Sequence, residues 1–251
     1  MCRIIGVLNY KGGTAKTTTV VNLGAGLALR GARVLCVDID AQGSLATYLG
    51  VGALYSMKHL LLKMVEPRQC IVNARQRLDI VPSDASLLEA EGEFWKMGNR
   101  NAAYQMFVER LQSLQEGYDY VILDYSPSAN LLGESALRYT EEVIVPVAMN
   151  YLALVGTRQV VQTLKSIGRM QEHCLSLSLI VPTFYDHRLR KDAETLETLQ
   201  RHFAGQIADP IRMNVKLAEA PGHQKSIYEY APTSAGALDY ARLVERVANN
   251  G

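Results

Sequence analysis

Asn9-Tyr10-Lys11-Gly12-Gly13-Thr14-Ala15-Lys16-Thr17-Thr18 decides how the rest of the chain is read. An apolar run, Ile4-Ile5-Gly6-Val7-Leu8, precedes it and reads as a buried parallel strand. Val20-Val21-Asn22-Leu23-Gly24-Ala25-Gly26-Leu27-Ala28-Leu29 follows and reads as a helix packed on a sheet. Strand, glycine turn and a Lys-Thr pair opening a helix form the layout of a phosphate-binding loop. Gly12 and Gly13 let the backbone curl so that several N–H groups face one anion, and the helix N-terminus adds its positive dipole end. In this layout Lys16 falls among the β and γ phosphates of a nucleotide, and the Thr17 hydroxyl joins a Mg²⁺ ion. The plainer reading is a glycine turn that binds nothing. Against it, the lysines, glycines and threonines all fall in register.

The ordinary pattern, Gly-x-x-x-x-Gly-Lys-[Ser/Thr], needs glycine at positions 10 and 15, where Tyr10 and Ala15 stand. What is met is a deviant form, Lys-Gly-Gly-x-x-Lys-[Thr/Ser], with a second lysine at Lys11. That form resembles the ParA/MinD family of dimerising ATPases. The resemblance implies ATP and Mg²⁺ as ligands, held along Lys11, Gly12, Gly13, Thr14, Ala15, Lys16, Thr17 and Thr18.

A chain of 251 residues is normal for one α/β domain and can bury roughly 70–75% of its unfolded surface. It therefore needs no disulfide or metal staple. The cysteines, Cys2, Cys36, Cys70 and Cys174, are scattered with no CxxC pair; Cys36 and Cys174 lie in or beside apolar runs and read as packing residues. This fits a reducing, cytoplasmic setting. Met1 leads straight into the first strand, so no signal peptide is expected, and no apolar run approaches the ~20 residues needed to cross a bilayer. Formal net charge is +1, so any nucleic-acid binding must come from a local patch. The histidines show no metal-ligand spacing, and neither a Gly-x-Ser-x-Gly elbow nor a Cys-His pairing is present.

Further along, Arg33-Val34-Leu35-Cys36-Val37-Asp38-Ile39-Asp40 reads as a second strand with two carboxylates at its C-terminal edge, where open α/β sheets bind ligands. A solvated acidic loop is the alternative. Met57 to Met64 reads as a short helix, Cys70-Ile71-Val72 as a short edge strand and Leu78 to Ser83 as a strand ended by Pro82. Leu87 to Trp95 is helical, and the next helix puts Ala103, Phe107, Leu111 and Leu114 on one face, with Gly117 ending it. Tyr118-Asp119-Tyr120-Val121-Ile122-Leu123-Asp124 is an apolar strand with a terminal acid, the Walker B arrangement, in which the aspartate holds Mg²⁺ through water. Glu142 to Val147 and Leu175 to Pro182 are further strands. Between them, Met149 to Gly156 leads into a helix with Val160, Val161, Leu164 and Ile167 inward. A later helix, Arg190 to Phe203, sets Ala193, Leu196, Leu199 and Phe203 on one side. The closing helix, Ser234 to Ala248, points Leu238, Ala241, Val244 and Val247 inward.

Motifs at 11–18, 38–44, 118–128, 146–156 and 213–221 come in the family's order, so the resemblance covers nearly the whole chain. It implies a mostly parallel twisted sheet with helices on both faces, a single P-loop ATPase domain over residues 1–251. By resemblance, Asp40 in Asp38-Ile39-Asp40-Ala41-Gln42 positions the attacking water and Asp38 lies near the Mg²⁺ shell. Pro182, Thr183 and Asn214 fall where the family contacts the nucleotide. Departures are Ala41 for a proline, Tyr125-Ser126-Pro127-Ser128 for Cys-Pro-Pro-Ser, Asn150 for a glutamate and Met213 for an arginine. The resemblance also implies an ATP-dependent homodimer in which Lys11 reaches the partner's phosphates. Such a dimer binds double-stranded DNA without sequence preference, associates with the nucleoid, and is triggered by a ParB-like or other cargo-linked protein. Candidate DNA contacts are Arg188, Arg190, Lys191, Lys216 and Lys225, of which Lys216 alone rests on the resemblance.

Other readings remain open. A MinD-like ATPase cycling on a membrane ends in a basic amphipathic helix; the tail here lacks bulky aromatics and its apolar positions suit the core. An ATP-dependent amide-forming or carboxylating ligase needs a further catalytic cluster, and none is visible. An iron–sulfur reductase needs bridging cysteines in a motif these four do not have. A DNA-binding module with little hydrolysis would explain the departures at Ala15, Ala41, Tyr125-Ser126 and Asn150.

Overall fold

The computed structural model describes residues 2–150, 153–170 and 175–249. Seven strands form one sheet: β1 (Arg3–Val7), β2 (Val34–Ile39), β3 (Val72–Arg75), β4 (Leu78–Val81), β5 (Tyr120–Tyr125), β6 (Glu142–Ala148) and β7 (Ser176–Thr183). Their order is β3-β4-β2-β5-β1-β6-β7, parallel throughout except for the antiparallel β3–β4 pair at one edge. The strands read as continuous apolar runs because both faces are covered, which is what parallel sheets require.

Eleven α-helices lie among the described residues: α1 (Lys16–Leu29), α2 (Ser44–Leu49), α3 (Met57–Leu61), α4 (Leu87–Lys96), α5 (Arg100–Gln112), α6 (Leu131–Tyr139), α7 (Ala153–Met170), α8 (Arg190–His202), α9 (Val215–Glu219), α10 (Ile227–Tyr230) and α11 (Ala235–Asn249). On one face Ile5, Val7, Cys36 and Ile122 pack against Leu23 and Leu27 of α1 and Tyr240 and Val244 of α11. On the other, Leu35, Val37, Val121 and Leu123 meet Phe94 of α4, Phe107 of α5, Leu131 of α6 and Val160 of α7. Alternate residues of each strand thus serve opposite cores, as the two-residue side-chain period dictates.

Several expectations need correction. In α11 the buried positions are Ala237, Tyr240, Leu243, Val244 and Val247, while Leu238 is 51% exposed and Ala241 is also exposed. The cause is Asp239, buried in an ion pair with Arg212, which fixes the rotation of the helix about its axis. In α8 Ala193 is exposed and its neighbour Asp192 is buried, because that carboxylate accepts the Asp186 backbone N–H at 2.9 Å. Cys70 closes a 3₁₀ turn, Pro67–Cys70, and the edge strand begins at Val72. Helices α2, α6, α9 and α10 are additions to the sequence reading. Cys36 is fully buried in the core, whereas Tyr151, Leu152 and Cys174 lie outside the described residues.

Candidate active site

The C-terminal ends of β1, β2 and β5 meet at the centre of the sheet, where Val7 pairs with Asp124 and Asp38 pairs with Asp124. Open parallel sheets present their ligand crevice at this edge. Between β1 and α1 the chain forms the loop read as a phosphate cradle. Gly13 has φ 69°, a conformation that glycine adopts without strain, and Ala15 takes the same left-handed region at φ 69°, ψ 32°. The second position thus tolerates a Cβ where the ordinary pattern has glycine.

The loop is held from three sides. Asn9 Nδ2 donates to Pro146 O at 2.8 Å while its Oδ1 accepts the Lys11 backbone N–H at 3.0 Å, tying the loop to β6. Thr183 Oγ1, buried at the end of β7, donates to Thr14 O at 3.2 Å. Lys16 is buried, and its Nζ donates back to Lys11 O at 3.3 Å. Burial pushes the Lys16 ammonium below its usual range, opposed by the carboxylates of Asp124 and Asp40. An anion in the loop would restore its charge balance.

Thr17 lies in the first turn of α1 and its Oγ1 donates to Asp124 Oδ2 at 2.6 Å. Asp124 Oδ1 is buried without a hydrogen-bond partner. Asp38 accepts the backbone N–H groups of Asp40 and Leu45, each at 3.0 Å. Burial pushes the Asp38 carboxyl up to about 7, the two N–H bonds resisting and the Asp40 charge adding to the rise. Asp124 is pushed up as well, by burial first and the Asp38 charge second. A carboxylate oxygen without a partner, beside a threonine hydroxyl and a second carboxylate, is a donor set of hard oxygens that suits Mg²⁺. Asp40 stands nearer solvent, its Oδ1 accepting the Gln42 N–H at 3.0 Å.

Next to the loop, a cavity of about 440 Å³ is lined by Ala15, Thr18, Thr183, Arg212, Asn214 and Tyr240, among others. Thr183 and Asn214 therefore flank one space with two loop residues. Pro182 does not line it; its carbonyl accepts the Ile211 N–H at 2.8 Å and thereby sets the segment that does. Asn214 caps α9, accepting the Lys216 N–H at 2.8 Å. Lys11 lies on the outer side, its exposed Nζ donating to Asn150 Oδ1 at 3.1 Å.

Three features escaped the sequence reading. Arg212 donates from Nη2 and Nε to Asp239, which is 1% exposed, and anchors the cavity wall. Asn9 clamps the loop; an asparagine just before the glycine turn was its only signal. Tyr125 donates to or accepts from Thr140 Oγ1 at 2.8 Å, and its ring lies where a Cβ on Gly6 would come within 2.8 Å. Of the proposed DNA contacts, Arg188 pairs with Asp186 and Arg190 with Glu194, both at 2.7 Å, Lys216 with Glu219 at 2.8 Å and Lys191 with Asp192 at 3.5 Å. Their charge is locally compensated. Lys225, on the turn before α10, has no carboxylate within 4.0 Å among the described residues.

Comparison with known proteins supports this architecture. The sequence profile of a family described as an AAA domain matches residues 2–177. The chromosome-partitioning ATPase Soj of Thermus thermophilus is 39% identical, covering 98% of this chain and 95% of that one. The sporulation initiation inhibitor protein Soj of Bacillus subtilis is 34% identical over all of both chains. Among solved structures, cobyrinic acid a,c-diamide synthase of Mycobacterium smegmatis, with bound ADP and magnesium, aligns with a TM-score of 0.84. It is 29% identical and covers 100% of this chain and 95% of its own. The deviant loop, the Asp38–Asp124 pairing and full-length likeness to the partition ATPases agree: the chain belongs to the ParA/MinD family.

Proposed function

We propose that this chain, acting as one ATPase domain over residues 1–251, is an ATP-driven switch of the chromosome-partitioning type. The observation that carries the reading is the Thr17–Asp124 contact at 2.6 Å with the second Asp124 oxygen buried and unpartnered beside it. Thr17 and Asp124 would hold Mg²⁺, with Asp38 behind them, and the ion neutralises charge on the phosphates. Lys16, already fixed inside the loop, meets the β and γ phosphates of ATP. Asp40, at the solvent side, accepts a hydrogen bond from the attacking water and orients it in line with the γ phosphate. The cavity by Thr183 and Asn214 takes the base.

Two copies come together when ATP is bound, each Lys11 leaving Asn150 for the other's phosphates. Two facing triphosphates repel, and the exchanged lysines offset that repulsion. The dimer then binds double-stranded DNA through phosphate contacts at Lys216, Arg188, Arg190, Lys191 and Lys225, and a ParB-like or other cargo-linked protein accelerates hydrolysis and release. On this reading the protein works in the cytoplasm, on the nucleoid. Membrane cycling is a weaker reading, since the apolar face of α11 is already spent in the core and no described helix is long and apolar enough to span a bilayer.

The likeness to a diamide synthase favours one second reading, an ATP-dependent amide-forming enzyme. Turnover separates the two: the switch predicts ATPase activity raised by duplex DNA plus partner, and the ligase predicts activity raised by an acceptor carboxylate with glutamine or ammonia. In either case Lys16→Ala should abolish ATP binding by calorimetry. Parent-like affinity in that variant would remove the loop from the mechanism.

A further inference from the structure

At the opposite edge of the sheet a second concavity, about 640 Å³, is lined by Arg33, Arg68 and Arg77 around Asp79 and Tyr118. Arg33 immediately precedes β2 and Arg77 immediately precedes β4, while Tyr118 enters β5. Arg68 comes from the Pro67–Cys70 turn. The lining therefore gathers the N-terminal ends of β2, β4 and β5, and β2 and β5 carry candidate active-site residues at their other ends. Ile71 and Leu114 add an apolar contribution.

These arginines are only loosely paired, as Arg100 and Arg246 also are, but here they gather around one concavity. Elsewhere on the surface Arg188 and Arg190 hold their carboxylates at 2.7 Å, and Arg75, on the same hairpin as Arg77, holds Glu229 at 2.6 Å. Here Arg33 stands 3.9 Å from Asp119 and Arg68 stands 3.9 Å from Glu116. Arg77 donates to Gly31 O at 3.0 Å and has no carboxylate within 4.0 Å among the described residues. Asp79 is engaged on both oxygens, by Asn73 Nδ2 and by the Tyr118 hydroxyl, each at 2.7 Å. Glu116, the other acid of the lining, is largely exposed. The concavity thus offers guanidinium forks that are loosely held at best, beside a carboxylate whose hydrogen bonds are taken.

We propose that this concavity is a second ligand site, which takes a small phosphate-bearing polyanion of nucleotide size. Planar guanidinium forks match phosphate oxygens two at a time, and arginine does this better than lysine because its donors are fixed in one plane. The volume falls within the roughly 300–1,000 Å³ of small-molecule sites. A concavity of this size with two acids in its lining suits a compact ligand better than a duplex, whose phosphates need a continuous basic surface. The phosphates can be those of a free oligophosphate or of a nucleotide; both share the chemistry.

The test is calorimetry with inorganic tripolyphosphate, and in parallel with GTP, on the full chain carrying Lys16→Ala so that the first loop is disabled. One binding event should persist. Each of Arg33→Ala and Arg77→Ala should weaken it about 10- to 100-fold, the usual loss for a charge-assisted hydrogen bond. Arg77→Lys, which keeps the charge and loses the fork, should fall between. Hydrogen exchange of the Lys16→Ala protein should show protection at residues 73–79 and 113–119 on adding tripolyphosphate. Equal affinities for the two probes identify the phosphate chain as the whole ligand, and tighter GTP identifies a nucleotide. No binding in the Lys16→Ala protein overturns the proposal, and so do arginine variants that bind as their parent does. Loss of duplex binding without any tripolyphosphate event would also overturn it, making this edge a nucleic-acid path.

Discussion

Removing Arg212 isolates what holds the wall of the base-side cavity. Asp239 sits inside α11 at 1% exposure, and Arg212 contacts it through Nη2 at 2.7 Å, through Nε at 2.9 Å and through its own backbone N–H at 3.0 Å. Breaking a buried ion pair from one side costs about 3–5 kcal/mol, because a charge is stranded in a dry site. Three features reduce that here: the Arg212 side chain is 41% exposed, Arg242 remains 3.4 Å from Asp239, and the backbone N–H of residue 212 still donates to Asp239. Arg212→Ala should therefore cost about 2–3 kcal/mol, which at this chain length lowers the melting temperature by about 5–10 °C. Replacing both partners, Arg212→Met with Asp239→Leu, should recover most of the loss, since an apolar pair leaves no buried charge. Urea unfolding of the ligand-free protein measures the stability term. Nucleotide affinity should fall in the single variant too, because residues 212–214 line the cavity and keep only the backbone N–H of residue 212 as their tether to Asp239 of α11. A single variant within about 0.5 kcal/mol of the parent would refute the reasoning, as would a double variant less stable than the single one.

Other substitutions test the loop and the sheet beneath it. Ala15→Gly removes a Cβ from a residue at φ 69° and should stabilise the protein by about 0.5–1 kcal/mol after the entropy of the extra glycine is counted; a lower urea midpoint would count against the left-handed geometry. Gly6→Ala would place a methyl 2.8 Å from the Tyr125 ring and should cost about 1–3 kcal/mol, partly recovered by adding Tyr125→Cys; an unchanged melting curve for the single variant would show the ring is not packed there. Without ligand, stability should fall as pH rises from about 4 to about 7. Asp38 and Asp124 have folded-state pKa values above their unfolded ones, so the native state binds more protons in that window. Asp38→Asn should flatten this slope in urea titrations at pH 5, 6, 7 and 8, and a slope as steep as the parent's would contradict the burial account. Lys11→Ala should keep most ATP affinity yet stay monomeric by size exclusion with ATP and Mg²⁺; dimerisation like the parent's would reassign Lys11 to the Asn150 contact alone.

The glycine turn, the strand-end acids and the apolar runs were legible because each is local. Asp38 and Asp124 could be placed at one sheet edge from their strands, and Lys16 and Thr17 from the helix that follows β1; the structure sets β5 between β1 and β2 and so brings these segments side by side. What the sequence hid is non-local. Arg212 and Asp239 look like ordinary surface charges until α11 packs, and the helix then turns to serve that pair, displacing Leu238 and Ala241 from the expected face. The same holds at Asp192, whose burial follows from a backbone N–H in the preceding loop. Tyr125 looked like a departure from a motif; Gly6, far away in sequence, is the residue that makes room for it.

The strand order also constrains how the chain reaches its working state. β1 is flanked by β5 and β6, and β2 by β4 and β5, so every pairing at the centre joins segments distant in sequence. Such contacts bear a loop-closure cost before any apolar burial repays it, and chains dominated by them fold slowly. Thr17 cannot meet Asp124 until β5 has inserted between β1 and β2. An emerging polypeptide that ends before Tyr120 therefore displays its glycine loop with no counter-wall. Competence to retain nucleotide arrives as a late, all-or-none event that reports on insertion of the central strand. ATP retention during refolding, followed beside far-ultraviolet circular dichroism, should lag helix formation for this reason.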